Sequence, residues 1–458
     1  MHFVGISGIG MSALARVLLQ RGYRVSGSSD RRTELTEKLV AEGADVRIGH
    51  ASANVASDMT VVVSTAIAHD NPELAAARAA GIAIVHRGAL LAHLMSERRG
   101  IAIAGTHGKT TTTAMTARVL EAGGLDPTVL VGGERLDTAT NARDGAGAWL
   151  VSEADESDGS FLDLRPEIAV VTNVENDHIA SDTELPRLIA AFDAFVASLP
   201  ANGLALFGAD EPRAAALAER TRAAGAVRAR TFGFGADADV RATDAVYANF
   251  GSRFTVRLDG ERAGVVELAV PGAINVLDAL PAIAIGRELG VPFATIAEAL
   301  GGFRGVKRRF EILARTPRMT LVDDYAHHPT AVAATIAAAR DNFAGPIVVA
   351  FQPHRYSRTR YLADAFALAL RGADRVVLTD VYAASEAPLA GVDAHLIGAP
   401  LAAAGTDVAY VPDVADVPAY LLANAPEGAL VLALGAGSIT AAAATLARDL
   451  RPAASARA

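Results

Sequence analysis

A glycine-rich turn that ends in a lysine is the segment of this sequence whose chemistry is easiest to name. The apolar run Gly100–Ala104 leads into Gly105-Thr106-His107-Gly108-Lys109-Thr110-Thr111, and a helical pattern follows. Glycines let backbone N–H groups approach an anion, and a helix N-terminus adds about half a positive charge. Lys109 could then reach the terminal phosphates of ATP, while Thr110 could ligate Mg²⁺. The longer form of this motif has another glycine where this chain has Ile103, so we predict a shortened phosphate loop.

Lysine is scarce in this chain, which makes the position of Lys109 informative. Lysine and arginine together number 42, but the only lysines are Lys38, Lys109 and Lys307. The plainer interpretation of the turn is an ordinary strand-to-helix connection with a surface lysine. Two of the three lysines fall in segments that could bind phosphate, and this favours the phosphate loop.

Two acidic clusters follow apolar strand patterns in the same part of the chain. One is Ser152–Asp158 and the other is Asn173–His178. Open α/β sheets bind ligands beyond the carboxyl ends of their strands, which favours a binding site over a pair of solvated acidic loops. Magnesium prefers carboxylate oxygens, so Glu153 is predicted to join Thr110 as a metal ligand. His178 could serve a second ion or the transferred phosphate.

A second glycine turn lies near the N-terminus, after the first predicted strand. The segment Gly8-Ile9-Gly10-Met11-Ser12-Ala13 matches the dinucleotide-binding fingerprint, and Asp30 follows the second strand at the expected distance. Physically the turn is a pyrophosphate site, and it does not specify the nucleotide. A nicotinamide dinucleotide and a UDP-linked substrate therefore both remain open, as does an empty structural turn.

The elements that must position these groups have an α/β pattern throughout. Short Val- and Ile-rich runs alternate with Ala- and Leu-rich amphipathic stretches, as in parallel sheets with crossover helices. The 458 residues suffice for three domains, predicted at 1–96, 97–308 and 309–458. We predict a Rossmann-like first domain, a central P-loop ATPase-like domain with a mostly parallel sheet, and a Rossmann-like third domain. Alternating residues in Arg253–Val270 predict an antiparallel edge in the central sheet.

Composition and charge exclude several classes of protein. A net charge of −9 disfavours nucleic-acid binding, and zero cysteines exclude disulfides and thiolate metal sites. The N-terminus lacks the basic region of a secretory signal, so a cytoplasmic protein is expected. Gly428–Ala447 carries no charge, but glycines interrupt it, so it predicts a strand, a turn and a helix instead of a membrane span. We expect no membrane partner. The protein is expected to be a monomer or a weak dimer.

Five segments together give the chain a resemblance to the Mur ligases of peptidoglycan synthesis, over nearly its whole length. They are the phosphate loop, Glu153–Asp158, Asn173–His178, Asp323–Pro329 and Phe351–Arg358. The resemblance implies that ATP activates the carboxylate of UDP-N-acetylmuramate as an acyl phosphate, which L-alanine then attacks. Its implied cofactors are ATP and Mg²⁺. A relative that attaches a whole peptide to the same sugar nucleotide shares Ala326–Pro329 but is not expected to carry Gln352–Tyr356.

The resemblance also implies roles for individual residues. Lys109, Thr110, Glu153 and His178 would hold the phosphates and the metal. Further ATP contacts are implied for Asn275, Asp324 and Tyr325. One of Arg308 and Arg309 is predicted to reach phosphate, and the plainer alternative for both is a solvated linker face. The UDP-linked substrate would contact Gly8, Gly10, Met11, Ser12, Asp30, Ser64 and Arg87. Arg355, Arg358 and His354 would bind the sugar-linked carboxylate or the amino acid. The proton that alanine loses could go to His327, His328 or His354, each of which could instead be structural.

The sequence departs from the family pattern in three ways. Ser7 stands where the family often has glycine, and Ile274 stands where a histidine beside the adenine is expected. Some relatives use a carbamylated lysine near the metal, but this chain has no lysine between Lys109 and Lys307. The alternatives to an alanine ligase are the peptide-attaching relative, a NAD-dependent oxidoreductase, and a nucleotide-gated binding protein without ligase chemistry.

Overall fold

The computed structural model describes residues 1–175 and 184–451, which form three sheets with helices packed against them. The first sheet has five parallel strands in the order β3-β2-β1-β4-β5. Its elements are β1 (His2–Val4), α1 (Ile9–Gln20), β2 (Ser26–Ser29), α2 (Glu34–Ala41), β3 (Asp45–Ile48), β4 (Val61–Val63), α3 (Pro72–Ala79), β5 (Ile84–His86) and α4 (Arg87–Ser96).

The central sheet has ten strands in the order β15-β14-β13-β12-β11-β10-β6-β9-β7-β8. Its first elements are β6 (Arg99–Ala104), α5 (Lys109–Ala122), β7 (Thr128–Leu130), β8 (Ala142–Arg143), β9 (Trp149–Glu153), β10 (Ile168–Val171) and α6 (Leu185–Ala197). The others are β11 (Leu204–Gly208), α7 (Pro212–Ala224), β12 (Arg228–Gly233), β13 (Val240–Ala248), β14 (Gly251–Leu258), β15 (Glu261–Leu268), α8 (Ala273–Glu288) and α9 (Phe293–Gly301). Strands β7, β9, β6, β10, β11, β12 and β13 are parallel, and the β13–β14–β15 edge is antiparallel.

The third sheet has six strands in the order β16-β17-β21-β18-β19-β20, parallel except for β16. Its first elements are β16 (Glu311–Arg315), β17 (Met319–Asp324), α10 (Pro329–Asn342), β18 (Ile347–Phe351), α11 (Tyr356–Leu370) and β19 (Arg375–Leu378). The others are α12 (His395–Ala403), β20 (Asp407–Tyr410), α13 (Val417–Asn424), β21 (Ala429–Leu434) and α14 (Ile439–Asp449).

The predicted fold class is confirmed, including the antiparallel edge of the central sheet. Strands β3, β16 and β20 contain only exposed and partly buried residues, and they lack the apolar run of a central strand. The second strand lies at Ser26–Ser29. There Gly27 is so close to Ile6 that an added β-carbon would lie 2.7 Å from its side chain.

Among residues 1–175 and 184–451, no helix is both long and apolar enough to cross a bilayer. The charge-free segment Gly428–Ala447 forms β21, a turn and most of α14, as its glycines predicted.

The order of the central strands brings the chemically interesting segments together. Strand β6 lies between β9 and β10, and all three run parallel. Their carboxyl ends therefore meet at one edge of the sheet, where β6 continues into the phosphate loop, β9 ends at Glu153, and β10 leads to Asn173. Both acidic clusters consequently begin beside the glycine turn, as the sequence predicted.

Candidate active site

The phosphate loop adopts a conformation that its glycines make accessible. Gly105 and Gly108 have φ angles of +124° and +83°, and α5 begins directly after Gly108. A β-carbon at Gly108 would lie 2.3 Å from a carboxylate oxygen of Asp278, so the position also lacks room for a side chain. The Thr172 hydroxyl donates to the His107 carbonyl at 2.6 Å, and the His107 N–H donates to the Asn173 side chain at 2.8 Å. The loop is thus fastened to the end of β10.

Lys109 sits inside the loop and is paired with a carboxylate. Its ammonium donates to the Gly105 carbonyl at 2.5 Å and to Glu156 at 2.8 Å, and its side chain is 14% exposed. Burial would lower the pKa of this ammonium, but Glu156 and Asp155 outweigh burial and raise the pKa. Lys109 is therefore a stable cation, and a phosphate that enters the loop would share or replace its contact with Glu156.

The neighbourhood of Thr110 fits a divalent cation. Glu153 lies beside it and accepts a hydrogen bond from the Gly132 N–H, while Arg309 donates to the Thr110 hydroxyl at 3.3 Å. Burial raises the pKa of Glu153, although the Gly132 N–H and the charges of Lys109 and Arg309 act against this shift. A divalent ion would favour the charged form of such a carboxylate. A hydroxyl and a carboxylate next to the phosphate loop are oxygen donors of the kind that Mg²⁺ takes.

A second acidic residue, Asp278, packs under the phosphate loop. It lies on α8, is 6% exposed, and accepts a hydrogen bond from the Thr112 hydroxyl at 3.4 Å. Burial raises the pKa of Asp278 to about 8, despite the hydrogen bond from Thr112 and the charge of Arg309. Asp278 therefore supports the loop as a largely neutral carboxyl group at pH 7.

We expect Asp278→Asn to change how protein stability depends on pH. The folded pKa is about 8 and the ordinary value is 3.8, so the unfolded chain releases its proton first. Stability is therefore lost progressively as pH rises from about 4 to about 8. Asparagine cannot ionise, so the variant should be more stable at pH 8, on the order of a few kcal/mol, and similar to the parent near pH 4. Thermal unfolding midpoints across this pH range measure the effect, and parallel curves for the two proteins would contradict it.

A cavity of about 790 Å³ opens beside the phosphate loop. Helices and loops that pack on each of the three sheets contribute to its lining. The first sheet's unit contributes Ser7, Ile9, Gly10, Glu34 and Arg87. The central unit contributes Thr106–Thr111, Gly132–Glu134, Glu153, Asp155, Ile274, Asn275 and Asp278. The remaining wall contains Lys307–Phe310 and Asp324–His328. A cavity of this size can hold a nucleotide together with part of a second reactant.

The N-terminal glycine turn meets the cavity next to an ion-paired arginine. Gly8 precedes α1, and Arg87 lies so close to Gly10 that an added β-carbon would be 3.5 Å from its guanidinium. Arg87 donates to Asp155 at 2.9 Å and to Asp158 at 2.8 Å, both in the acidic cluster after β9. The first unit is therefore bound electrostatically to the central one at the cavity wall.

The third unit presents stacked aromatic and basic side chains. The guanidinium groups of Arg308 and Arg309 lie 4.8 and 5.1 Å from the centre of the Tyr325 ring. His327 packs edge-on against Tyr325 at 5.0 Å and against His354 at 5.6 Å. The cavity wall at Tyr325 is consequently flat and cationic, which suits an aromatic base bearing phosphates.

Several proteins align with this chain over nearly its whole length. A UDP-N-acetylmuramate--L-alanine ligase of Acidithiobacillus ferrooxidans is 48% identical over 449 residues, which cover 97% of this chain and 96% of the relative. Residues 1–99 match the Mur ligase family catalytic domain, residues 103–286 the Mur ligase middle domain, and residues 308–437 the Mur ligase glutamate ligase domain. The chain belongs to the Mur ligase family. The family predicted from the sequence is thereby confirmed, and with it an ATP-dependent ligase of an acid and an amino acid.

Other relatives of this Mur ligase agree in length and fold. The UDP-N-acetylmuramate--L-alanine ligase of Geotalea uraniireducens is 45% identical and covers 98% of both chains. The crystal structure of the UDP-N-acetylmuramate-alanine ligase of Thermotoga maritima has a TM-score of 0.84 at 31% identity, over 98% of each chain. A murein peptide ligase of Psychrobacter arcticus has a TM-score of 0.73 at 25% identity, again over 98% of each chain.

Many of the residues predicted for the Mur ligase site lie at the cavity. They are Gly10, Arg87, Thr106–Thr111, Glu153, Asn275, Arg308, Asp324, Tyr325, His327 and His328. Other predicted residues are not among the described residues that line it: Gly8, Met11, Ser12, Asp30, Ser64, Gly105, His354, Arg355 and Arg358. His178 lies outside the described residues. The direct ATP, metal and substrate contacts of all these side chains stay predictions.

Several predicted residues have partners within the protein. The Ser12 hydroxyl donates to the Ile9 carbonyl at 2.9 Å. Asp30 is exposed and pairs with His50 at 3.0 Å. Both oxygens of Asp324 accept backbone N–H groups at 2.7 Å. Asp324 thus shapes the wall near Tyr325 through its backbone contacts as well as through any ligand contact.

Of the residues predicted to bind the amino acid, Arg358 is buried and His354 is partly buried. Arg358 is 8% exposed and its guanidinium lies 3.1 Å from the His354 ring nitrogen. Arg355 has a φ of +69° and a ψ of 138°, a combination that is rare for residues other than glycine. Backbone strain of this kind is held by the surrounding fold and concentrates at binding sites, which agrees with a functional position for Arg355.

Three residues near the phosphate loop either had no predicted role or were predicted only as one of two alternatives. Glu156, which pairs with Lys109, was part of a predicted cluster but had no role of its own. Asp278 lies on α8, far from the phosphate loop in sequence, and no sequence motif links it to the loop. Arg309, not Arg308, lies beside Thr110, and the sequence had left the choice between them open.

Proposed function

We propose that this Mur ligase joins L-alanine to the carboxylate of UDP-N-acetylmuramate and converts ATP to ADP and phosphate. The observation that carries the proposal is a single cavity shared by the phosphate loop, the N-terminal glycine turn and the segment Asp324–His328. Three reactants that must meet need such a common space. Relatives whose names state this reaction are 48% and 45% identical across nearly the whole chain, which supports alanine as the amino acid.

The first chemical step activates the acid. A carboxylate oxygen of the muramate attacks the γ-phosphorus, the bond to the bridging oxygen breaks, and ADP leaves an acyl phosphate behind. Positioning and charge neutralisation dominate such phosphoryl transfers. Lys109, the loop N–H groups and Arg309 supply this neutralisation, and Arg309 is the nearest described guanidinium to Thr110. Mg²⁺, held by Thr110 and Glu153, would neutralise further phosphate charge.

The second step forms the amide. The alanine amine attacks the acyl carbon, the carbon–oxygen bond to phosphate breaks, and phosphate leaves. The amine must first lose a proton, and a histidine near the cavity is the natural acceptor. His327 and His328 line the cavity and His354 does not, which supports one of the first two. Arg355 and Arg358 would hold the alanine carboxylate.

We further propose that residues 1–96 bind the UDP moiety, 97–308 bind ATP, and 309–458 close over the site. A pyrophosphate at the N-terminus of α1 would meet free backbone N–H groups next to Gly10. The Tyr325 ring, with Arg308 and Arg309 against it, offers a surface for adenine. This division assigns the N-terminal fingerprint to UDP instead of a nicotinamide dinucleotide.

Phosphate release with a panel of amines tests the proposal. We expect release to need ATP, UDP-N-acetylmuramate and an amino acid together, with L-alanine faster than glycine or L-serine. Mass spectrometry should detect UDP-N-acetylmuramoyl-L-alanine. Faster release with a tripeptide would instead favour the activity in the name of the murein peptide ligase, and release without any amine would contradict ligation. A change in NADH fluorescence on mixing would reopen the nicotinamide alternative.

A further inference from the structure

Two histidines and a glutamate from different parts of the fold meet beside the phosphate loop. His107 belongs to the loop, Glu175 follows β10, and His328 precedes α10 in the third unit. The Nε2 atom of His107 lies 3.2 Å from Nδ1 of His328 and 3.6 Å from Oε2 of Glu175. The Nδ1 atom of His328 lies 3.7 Å from the same carboxylate oxygen. We call these three residues the His–Glu–His cluster.

The three donor atoms form a nearly regular triangle of the size that a transition-metal ion spans. The nearest point equidistant from them lies in their plane, about 2.0 Å from each. An ion slightly above that plane would therefore be within about 2.0–2.2 Å of all three atoms, the length of zinc bonds to histidine nitrogen and carboxylate oxygen. Two imidazoles and one carboxylate are a ligand set that holds zinc in hydrolytic enzymes. Magnesium prefers oxygen ligands and waters, so this donor set selects against it.

The surroundings of the cluster also suit a metal ion. The side chains of His107, Glu175 and His328 are 12%, 20% and 8% exposed, so a bound ion would be mostly shielded from bulk water. The Thr330 hydroxyl donates to Oε2 of Glu175 at 2.6 Å and fixes the carboxylate, as outer-shell partners of metal ligands do. His107 and His328 both line the cavity, which leaves an open position for water or a ligand oxygen.

We propose that the His–Glu–His cluster binds one divalent transition-metal ion of the zinc class, separate from Mg²⁺ at Thr110 and Glu153. With the ion bound, His328 is a ligand, which leaves His327 to accept the alanine proton. Such an ion joins the phosphate loop to the start of α10. It therefore holds the central and third units together at the cavity. The inference is independent of the substrates proposed above, because binding of the ion alone can be measured without them.

Titration of the metal-free full-length protein with Co²⁺ tests the proposal, since Co²⁺ replaces zinc and absorbs visible light. We expect one Co²⁺ per chain with the intense absorption of a four- or five-coordinate site, displaced by Zn²⁺. Glu175→Gln and His328→Gln should each weaken binding at least tenfold. Thr330→Val keeps all three ligands and should weaken binding about tenfold through loss of the outer hydrogen bond.

Two matched controls separate this site from other metal-binding groups. His93→Gln removes an imidazole whose side chain is 70% exposed, and Glu153→Gln removes the carboxylate at the proposed magnesium site. Both should leave Co²⁺ affinity within about threefold of the parent. The proposal is overturned if the parent protein binds no Co²⁺, if Glu175→Gln and Thr330→Val bind it as tightly as the parent, or if either control loses as much affinity. Circular dichroism of each variant confirms that it is folded.

Discussion

Lys109→Ala is expected to lower kcat/KM for ATP by at least about 10²–10³-fold, the size of effect seen when one preorganised charge contact is removed from a transition state. The ammonium lies within the glycine loop, where a transferring phosphoryl group would gain charge during reaction. No other lysine can substitute, because Lys38 and Lys307 are paired with Glu34 and Glu134. Phosphate release at saturating UDP-N-acetylmuramate and L-alanine measures the loss.

The same substitution also removes the ammonium partner of the buried Glu156 carboxylate, so stability must be separated from catalysis. Breaking a buried ion pair from one side costs about 3–5 kcal/mol. The double variant Lys109→Ala with Glu156→Gln removes both charges and should regain much of that stability without regaining activity. Lys38→Ala is the matched control, and its activity should stay within about threefold of the parent. Recovery of turnover in the double variant would mean that Lys109 acts only on folding.

The phosphate loop could be predicted from sequence because every part of it is local. The glycines, Lys109 and Thr110 are consecutive, and the flanking strand and helix are visible in the pattern of apolar residues. The position of Glu153 also followed from sequence, since parallel strands place their carboxyl ends at a shared edge. Neither inference required knowledge of how distant segments pack.

The partners of these residues depend on packing between segments far apart in the chain. Arg87 was predicted to contact UDP, and the structure adds ion pairs to Asp155 and Asp158 that no spacing rule foretells. Asp278 reaches the loop only because α8 packs on α5. Likewise Asn141 joins the first unit to the central one, because its side chain donates to the Ile9 carbonyl at 2.9 Å. Such contacts are fixed by docking of whole elements, which the sequence does not encode locally.

The choice between Arg308 and Arg309 shows the same limit over a single residue. Both precede β16, and their charges and spacing are indistinguishable in the sequence. In the structure Arg308 has a φ of +60° and donates to the Gly435 carbonyl at 2.6 Å, while Arg309 turns toward Thr110. A backbone twist of one residue therefore decides which guanidinium faces the phosphate loop.

Glu153→Gln is expected to remove most of the advantage that Mg²⁺ gives to ATP binding and turnover. The amide keeps the shape of the side chain but has no charge to neutralise a divalent ion. Since burial already raises the pKa of Glu153, the carboxylate is costly to keep charged without a cation nearby. We expect kcat/KM for MgATP to fall by about 10²–10³-fold, and higher Mg²⁺ concentrations to recover part of this loss.

Calorimetric titration with ATP, with and without Mg²⁺, tells a metal ligand from a residue that only shapes the loop. If Glu153 is a metal ligand, Glu153→Gln should bind free ATP as the parent does, but Mg²⁺ should increase its ATP affinity only slightly. Glu134→Gln is the matched control, because Glu134 also lines the cavity but pairs with Lys38 and Lys307. Equal loss of ATP affinity with and without Mg²⁺ would assign Glu153 to the structure of the loop. Since the backbone N–H that Glu153 accepts belongs to Gly132, outside the loop, loss of the Mg²⁺-dependent increment alone is the expected result.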